Sequence, residues 1–192
     1  MGVPTDYRTV KIVDEDGREV SQGEVGELWI TGLGIFKDYY NKAEATAEVF
    51  EGQWFKTGDL FRQDEKEYYY IVGRKKDMIK RSGDNIAAVE VENVLTSHSK
   101  ILSAAVVPVP DPDRKEEVKA YIVPAQGENA NTIPPQEIIE FCLERLADFK
   151  VPRYIEYRGQ DFPRTPTGKI QKLKIIAEQE DLTEGCFDRM AK

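Results

Sequence analysis

The chain is 192 residues long, 40% hydrophobic, 10% aromatic and 32% charged, which suits one medium domain or two small ones with buried cores and excludes general disorder. Its 27 Lys and Arg against 35 Asp and Glu leave a net charge of −8, which opposes sequence-independent binding to a nucleic-acid backbone, a role driven by cations that neutralise phosphates. No apolar run approaches the roughly 20 residues that a membrane-spanning helix needs. Residues 1–10 hold neither an apolar signal core nor an Arg/Ser-rich transit helix. Cys142 and Cys186, the only two cysteines, fit neither a disulfide framework nor a four-ligand zinc site. A cytoplasmic chain with no nucleic-acid partner and no membrane span is therefore expected, and any anionic ligand has to be met by a local basic cluster.

The first third reads as short strands broken by turns. Tyr7 to Val13 alternates apolar and polar residues, Asp14-Glu15-Asp16-Gly17 is a turn, and Gly26 to Thr31 resumes the alternation, so a hairpin is expected. Ala43 to Phe50 predicts one or two helical turns before Gly52. Leu60 to Gln63 and Glu67 to Val72 flank a three-residue hairpin loop. Gly73 to Asn85 then changes character by crowding Arg74, Lys75, Lys76, Lys80 and Arg81 beside Gly73 and Gly83, and a domain boundary is placed there. Beyond it the periodicity predicts a helix from about Ala88 to Ser97, a strand Ile101 to Val109, a polar loop Pro110 to Glu117 and a strand Val118 to Val123. A second helix starts near Pro134 and Pro135 with Ile138, Ile139, Cys142, Leu143 and Leu146 on one stripe, and Pro152 stops it. A strand Tyr154 to Arg158, a turn-rich loop Pro163 to Lys172 and the short stretch Leu173 to Ala177 complete the reading. The fold class is α+β: a β-rich piece, residues 1–72, followed by a small α+β domain, residues 73–192, with its sheet covered by helices.

Generic chemical motifs fail here. Thr167-Gly168-Lys169 looks like the end of a phosphate loop, but Pro163 stands where that loop needs Gly and Ile170 where it needs Ser or Thr. Asp14 and Asp16, or Asp111 and Asp113, lack the other ligands of a calcium loop, and the single histidine, His98, reads as a helix-end residue. No metal site is expected within this chain.

Three segments nevertheless resemble one family, the adenylate-forming enzymes: acyl-CoA synthetases, adenylation domains of peptide synthetases, and luciferases. The first is Gly26-Glu27-Leu28-Trp29-Ile30-Thr31-Gly32, with Tyr39-Tyr40-Asn41 and Trp54-Phe55-Lys56-Thr57-Gly58-Asp59-Leu60. The second runs from Gly73-Arg74-Lys75-Lys76-Asp77 through Lys80-Arg81-Ser82-Gly83-Asp84-Asn85-Ile86 to Glu90-Val91-Glu92. The third is Pro163-Arg164-Thr165-Pro166-Thr167-Gly168-Lys169-Ile170. In this order and at these separations the three are specific, and together they span essentially the whole chain.

The resemblance implies roles. Asp59 takes the ribose hydroxyls of ATP and AMP, with Arg74 assisting from the start of the second domain; a turn with an Asx-type hydrogen bond is the competing account of Thr57-Gly58-Asp59. Lys76 matches the hinge about which the C-terminal domain rotates between two reaction steps. Lys169 matches the lysine that stabilises charge as a carboxylate attacks the α-phosphate, against the alternative of a solvent-facing lysine after a Thr-Gly turn. Ser82, Gly83 and Asp84, with Lys80, fall on the loop that faces the thiol-bearing arm of CoA; an ordinary turn between strand and helix competes for Ser82 and Asp84. The basic cluster at residues 74–81 would offer a positive face to phosphates.

The implied function is that of the C-terminal part of an ATP-dependent acyl-CoA synthetase, with ATP or AMP and CoA as ligands and a carboxylic acid as substrate. Magnesium is expected through residues outside this chain, because the family's phosphate loop, acyl pocket and metal-linked Glu belong upstream. The remaining N-terminal domain is the implied partner, and the isolated chain is expected to be inactive and to self-associate through apolar side chains such as Trp29, Ile35, Phe36 and Trp54. Phe36-Lys37-Asp38-Tyr39-Tyr40 and Asp148-Phe149-Lys150-Val151-Pro152 resemble the crotonobetaine/carnitine and medium-chain branch. A natural non-catalytic nucleotide- or CoA-binding module and the end of a peptide-synthetase adenylation domain are the alternatives.

Overall fold

A computed structural model describes residues 2–191. It divides into two compact units between Lys76 and Asp77, so Gly73 and Arg74 close the first unit where the sequence had them opening the second.

The first unit is an antiparallel sheet of β1 (Arg8–Val13), β2 (Val25–Gly32), β3 (Phe50–Glu51), β4 (Trp54–Gln63) and β5 (Tyr69–Arg74), with the short helix α1 (Ala43–Val49) leading into β3. The order is β1-β2-β4-β3, and β5 pairs with β4. The expected hairpin forms with Arg8 opposite Gly32 and Val13 opposite Glu27. The strand expected at Leu60 is longer than the alternation shows. It begins at Trp54 and runs through Thr57-Gly58-Asp59, which the sequence reading treated as a possible turn.

Few side chains are deeply buried in this unit: Ile12, Val13 and Trp29 are its apolar ones. Trp29 is therefore not part of an uncovered surface, in contrast to the expectation. The ammonium groups of Lys11 and Lys56 lie 5.0 and 5.3 Å from its ring centroid, so long basic side chains close over the indole. Phe36 does stay partly exposed, packed edge-on against Phe50 and Phe55.

The second unit is a mixed sheet sandwiched between two layers. It contains β6 (Met78–Arg81), β7 (Asp84–Ala87), β8 (Ile101–Asp111), β9 (Lys115–Pro124), β10 (Tyr154–Tyr157) and β11 (Phe187–Asp188), in the order β11-β10-β9-β6-β7 with β8 beside β9. The helices are α2 (Ala88–Thr96), α3 (Pro135–Leu143) and α4 (Lys172–Ile176). β8 and β9 form a long antiparallel hairpin, and β10 joins β9 in parallel.

Both faces of that hairpin are covered, which is why its strands read as nearly continuous apolar runs. Ala104, Val106, Val118, Ala120 and Ile122 meet Val91 and Leu95 of α2 and Ile138 and Cys142 of α3. Ala105, Val107, Tyr121 and Val123 face the other way, onto Phe162 and Ile175. On that second face Lys119 is wholly buried, its ammonium 2.6 Å from Glu156 and 2.6 Å from the Leu182 carbonyl. A buried cation is tolerated only with such partners, and these tie residues 179–182 to the sheet.

Charge density concealed two strands. Gly73 to Asn85 reads as a basic boundary segment, yet Met78–Arg81 and Asp84–Ala87 pair as a hairpin with Arg81 opposite Asp84. Ser82 and Gly83 both have positive φ, 51° and 96°, as a two-residue type I′ connection requires. The turn thus joins two strands, not a strand and a helix. The loop expected at Pro110 to Glu117 shrinks in the same way, because β8 runs on to Asp111 and β9 starts at Lys115.

Candidate active-site elements

In the first unit, β4 carries Asp59 on a bulge. Glu27 pairs with Leu60 and Trp29 with Lys56, so Thr57, Gly58 and Asp59 together oppose Leu28 alone. Such an excess of residues bends a strand and re-aims a side chain. The bulge is held at three points. The Thr57 hydroxyl donates to the Leu28 carbonyl at 2.7 Å, the Asp59 amide donates to Thr57 Oγ1 at 3.1 Å, and the Gly58 amide donates to Glu27 Oε1 at 3.0 Å. Gly58 has φ 71°, a conformation that an L side chain adopts only with strain.

Asp59 faces Arg74 directly across β4 and β5, and Arg74 Nε lies 3.0 Å from Asp59 Oδ1. The pair is partly open to solvent, so its oxygens and nitrogens remain accessible. Arg74 ends the last strand of the first unit, and so lies in the first unit and not at the start of the second as expected. Glu27 was not singled out beforehand. It is 6% exposed and joins Gly58 to Lys75, whose Nζ lies 2.9 Å away. Its signal was present in the sequence as a carboxylate at the inward phase of an alternating strand.

Lys76 is exposed and lies in a 3₁₀ turn, Lys75–Asp77, at the division between the units. In the second unit Lys80, Ser82, Gly83 and Asp84 share the β6–β7 hairpin. Its tip is pinned where the Ser82 amide donates to the Arg114 carbonyl at 3.0 Å. Beside Ser82 lies a cleft of about 340 Å³ bordered by Arg81, Arg114, Arg153 and Arg189. Its charge is organised by Glu117, which is 1% exposed and lies 2.7 Å from Arg81 Nε and 3.0 Å from Arg114. The positive face expected over residues 74–81 is accordingly reduced, since Arg74, Lys75 and Arg81 each pair with a carboxylate.

Lys169 sits on a separate element, the loop between Phe162 and α4. The loop closes on itself: the Thr165 amide donates to the Lys169 carbonyl at 2.8 Å, the Gly168 amide to the Thr165 carbonyl at 2.8 Å, and the Lys169 amide to Thr165 Oγ1 at 3.1 Å. The Lys169 side chain is exposed and makes no ion pair with the described residues. His98 is held at the end of α2, its Nε2 3.3 Å from Glu137. Both cysteines are free thiols. Burial pushes the Cys142 thiol up to about 11, which makes it an inert core group and not a nucleophile. Among the described residues no group of three or more His, Cys, Asp or Glu side chains converges to hold a metal ion. No helix among them is long and apolar enough to cross a membrane.

Comparison with known proteins bears on this arrangement. Residues 90–169 match the AMP-binding enzyme C-terminal domain, and the chain is 41% identical over 179 residues to a crotonobetaine/carnitine–CoA ligase of Citrobacter koseri. The chain is similar to the C-terminal part of the adenylate-forming enzymes. That alignment covers 91% of this chain and 34% of the relative, so the chain spans about a third of the length of the curated relatives it matches. Among solved adenylate-forming structures, ATP-bound MatB from Rhodopseudomonas palustris superposes with a TM-score of 0.85 at 30% identity, covering 95% of this chain and 36% of that one. The amide bond synthetase McbA from Marinactinospora thermotolerans does so with a TM-score of 0.81 at 35% identity, covering 92% and 36%.

Proposed function

We propose that the chain works as the C-terminal part of an ATP-dependent acid–thiol ligase. In the first step a carboxylate oxygen attacks the α-phosphorus of ATP, giving an acyl-adenylate and releasing pyrophosphate. In the second the thiolate of CoA attacks the acyl carbon and AMP leaves, giving a thioester. In this reading Asp59 accepts hydrogen bonds from both ribose hydroxyls while Arg74 steadies the carboxylate. Lys169 spans the attacking carboxylate and the phosphate, where two anions would otherwise repel. Lys76 is the hinge between the two units, and Lys80, Ser82, Gly83 and Asp84 form the hairpin along which the pantetheine arm of CoA passes. The crotonobetaine/carnitine and medium-chain branch is the favoured substrate class, and the cytoplasm the favoured compartment.

The observation that carries the proposal is Lys169 itself. Most basic side chains around it are spent on carboxylates, as Arg164, Lys172 and Arg158 are. Lys169 makes no ion pair with the described residues, and it projects from a loop whose backbone is hydrogen-bonded on either side of it.

The test is made in the complete polypeptide of the reading frame that holds this sequence. Lys169→Ala is expected to lower carboxylate-dependent pyrophosphate release by about 10²-fold or more, while thioester formation from preformed acyl-adenylate is spared. Equal loss in both half-reactions would refute the assigned role. Lys76→Pro should act the other way, sparing adenylation and stopping thioester formation, because proline fixes its own φ and restricts Lys75.

A further inference from the structure

The loop that presents Lys169 is fastened to strand β8 at two points, by residues to which the reaction outlined above gives no part. The first is Arg164. Its guanidinium spans Asp161, with Nε and one terminal nitrogen each 3.2 Å from a carboxylate oxygen. It also donates to the carbonyl of Gly168, the residue before Lys169, at 3.0 Å, and to Ser103 Oγ on β8 at 3.1 Å. Ser103 is buried, so this last contact reaches from the loop into the sheet. The guanidinium and the Phe162 amide hold the Asp161 carboxyl below the usual carboxylate range, as expected of an ion pair that persists.

The second point lies on the far side of Lys169. Lys172, at the start of α4, pairs with Glu92 of α2 at 2.7 Å. The same Glu92 oxygen accepts the amide of Val106 at 2.8 Å. Among the described residues β8 pairs only with β9, so the Val106 amide belongs to a free strand edge and would be an orphan without Glu92. Glu92 thus reaches round the sheet edge from one helical layer to the other and anchors the chain just after Lys169.

We propose that Arg164 and the Glu92–Lys172 pair are positioning residues that give the Lys169 ammonium one preset direction. The inference rests on the role of Lys169 proposed above and adds what makes that role effective. A flexible four-carbon stem on a loose loop would visit many directions, and charge stabilisation counts only when the charge is already in place as the transition state forms. Arginine suits the first point because its fork carries donors to three partners at once, whereas an ammonium at position 164 can reach only some of them.

The test has two arms. In the isolated 192-residue chain, backbone order parameters for Gly168 and Lys169 should fall from about 0.85 to below about 0.6 in Arg164→Ala, with β8, β9 and α2 unchanged. In the complete polypeptide, the same substitution should lower the adenylation kcat about tenfold with the KM for ATP unchanged, leave thioester formation from preformed acyl-adenylate at its parental rate, and be partly rescued by Arg164→Lys. Added to Lys169→Ala it should cost nothing more, because it acts only through that ammonium. If Arg164→Ala fails to fold, Ser103→Ala removes a single hydroxyl from the same point and should reproduce the loosening to a smaller degree. A loop as ordered as the parent's, or a loss that multiplies with that of Lys169→Ala, overturns the proposal. A harmless Lys169→Ala would remove the Lys169 role and this inference together, whereas a costly Lys169→Ala beside a harmless Arg164→Ala removes this inference alone.

Discussion

Among its described residues the first unit buries only Ile12, Val13 and Trp29 as apolar groups, together with the carboxylate of Glu27, whereas the second encloses a continuous aliphatic cluster from Ile79 to Ile155 and a smaller one on the opposite face of its sheet. The candidate chemistry is mounted differently in each. Asp59 sits on a bulge whose shape is kept by hydrogen bonds to Thr57 and Glu27, so the polar site is itself part of what holds the first unit together. Lys169 sits outside a dense core and is tethered to it by side chains. Where the core is thin, site and stability share residues; where it is thick, they separate.

The largest consequence is that the two units should unfold apart. Both tryptophans, Trp29 and Trp54, lie in the first unit and both cysteines in the second, so fluorescence and thiol labelling report on different units. In guanidinium chloride the tryptophan transition is expected at lower denaturant than the exposure of Cys142 to a thiol reagent, because the midpoint is stability divided by slope and the first unit, with few buried apolar side chains, has little stability to divide. Coincident transitions would show one cooperative block and break the comparison.

Ile122→Ala sharpens it. Ile122 lies on the central strand β9, wholly buried among the main cluster, and its truncation should cost the second unit about 3 kcal/mol. The thiol transition should move and the tryptophan transition should not. A shift of both by similar amounts would mean that the first unit draws its stability from the second.

Glu27→Gln is the corresponding change in the first unit, and a smaller one. The amide oxygen can still accept from the Gly58 amide, but the charge that pairs with Lys75 is gone. Lys75 is half exposed and can turn to water, so the expected loss is about 1 kcal/mol, read from the tryptophan transition. An unchanged midpoint would mean that the carboxylate contributes geometry without stability.

How much of this was legible depends on what each residue signals locally. The hairpin of β1 and β2, the helix α1, both longer helices of the second unit and the strands of its central hairpin follow from periodicity, Ala/Glu-rich composition and turn or stop residues. The pair Met78–Arg81 and Asp84–Ala87 was not read as strands because each has only two apolar residues, and their charges serve ion pairs with distant carboxylates such as Glu117. Lys119 could not be recognised as buried, since its partners Glu156, Gln179 and Leu182 come from far along the chain. The residues proposed to act directly, Asp59, Arg74 and Lys169, came from motif resemblance. The residues that steady them, Glu27, Arg164 and Glu92, are set by tertiary contacts for which the sequence has no short-range pattern.

A final, smaller effect separates the units by pH. Cys142 is wholly buried on α3, and loss of solvent contact raises its thiol from 9.0 to about 11. Its folded pKa is above its unfolded one, so the contribution to stability is complete below about pH 9 and is lost as the pH rises through about 11. Between pH 8.5 and 10 the second unit should lose on the order of 1 kcal/mol, seen as an earlier second phase in far-ultraviolet circular dichroism. The first unit holds no cysteine, and its tryptophan transition should stay nearly level over the same range. Tyr157, pushed by burial to about 12, adds to this loss only as the pH approaches 10 and beyond. Cys142→Ala supplies the control, since it leaves a small apolar group in the core and removes the proton; the second phase should then lose most of its slope between pH 8.5 and 10, the remainder coming from the Cys186 thiol, which burial also pushes up. If the full slope survives that substitution, another buried group titrates in the second unit, and the Cys142 thiol is not the source of its alkaline sensitivity.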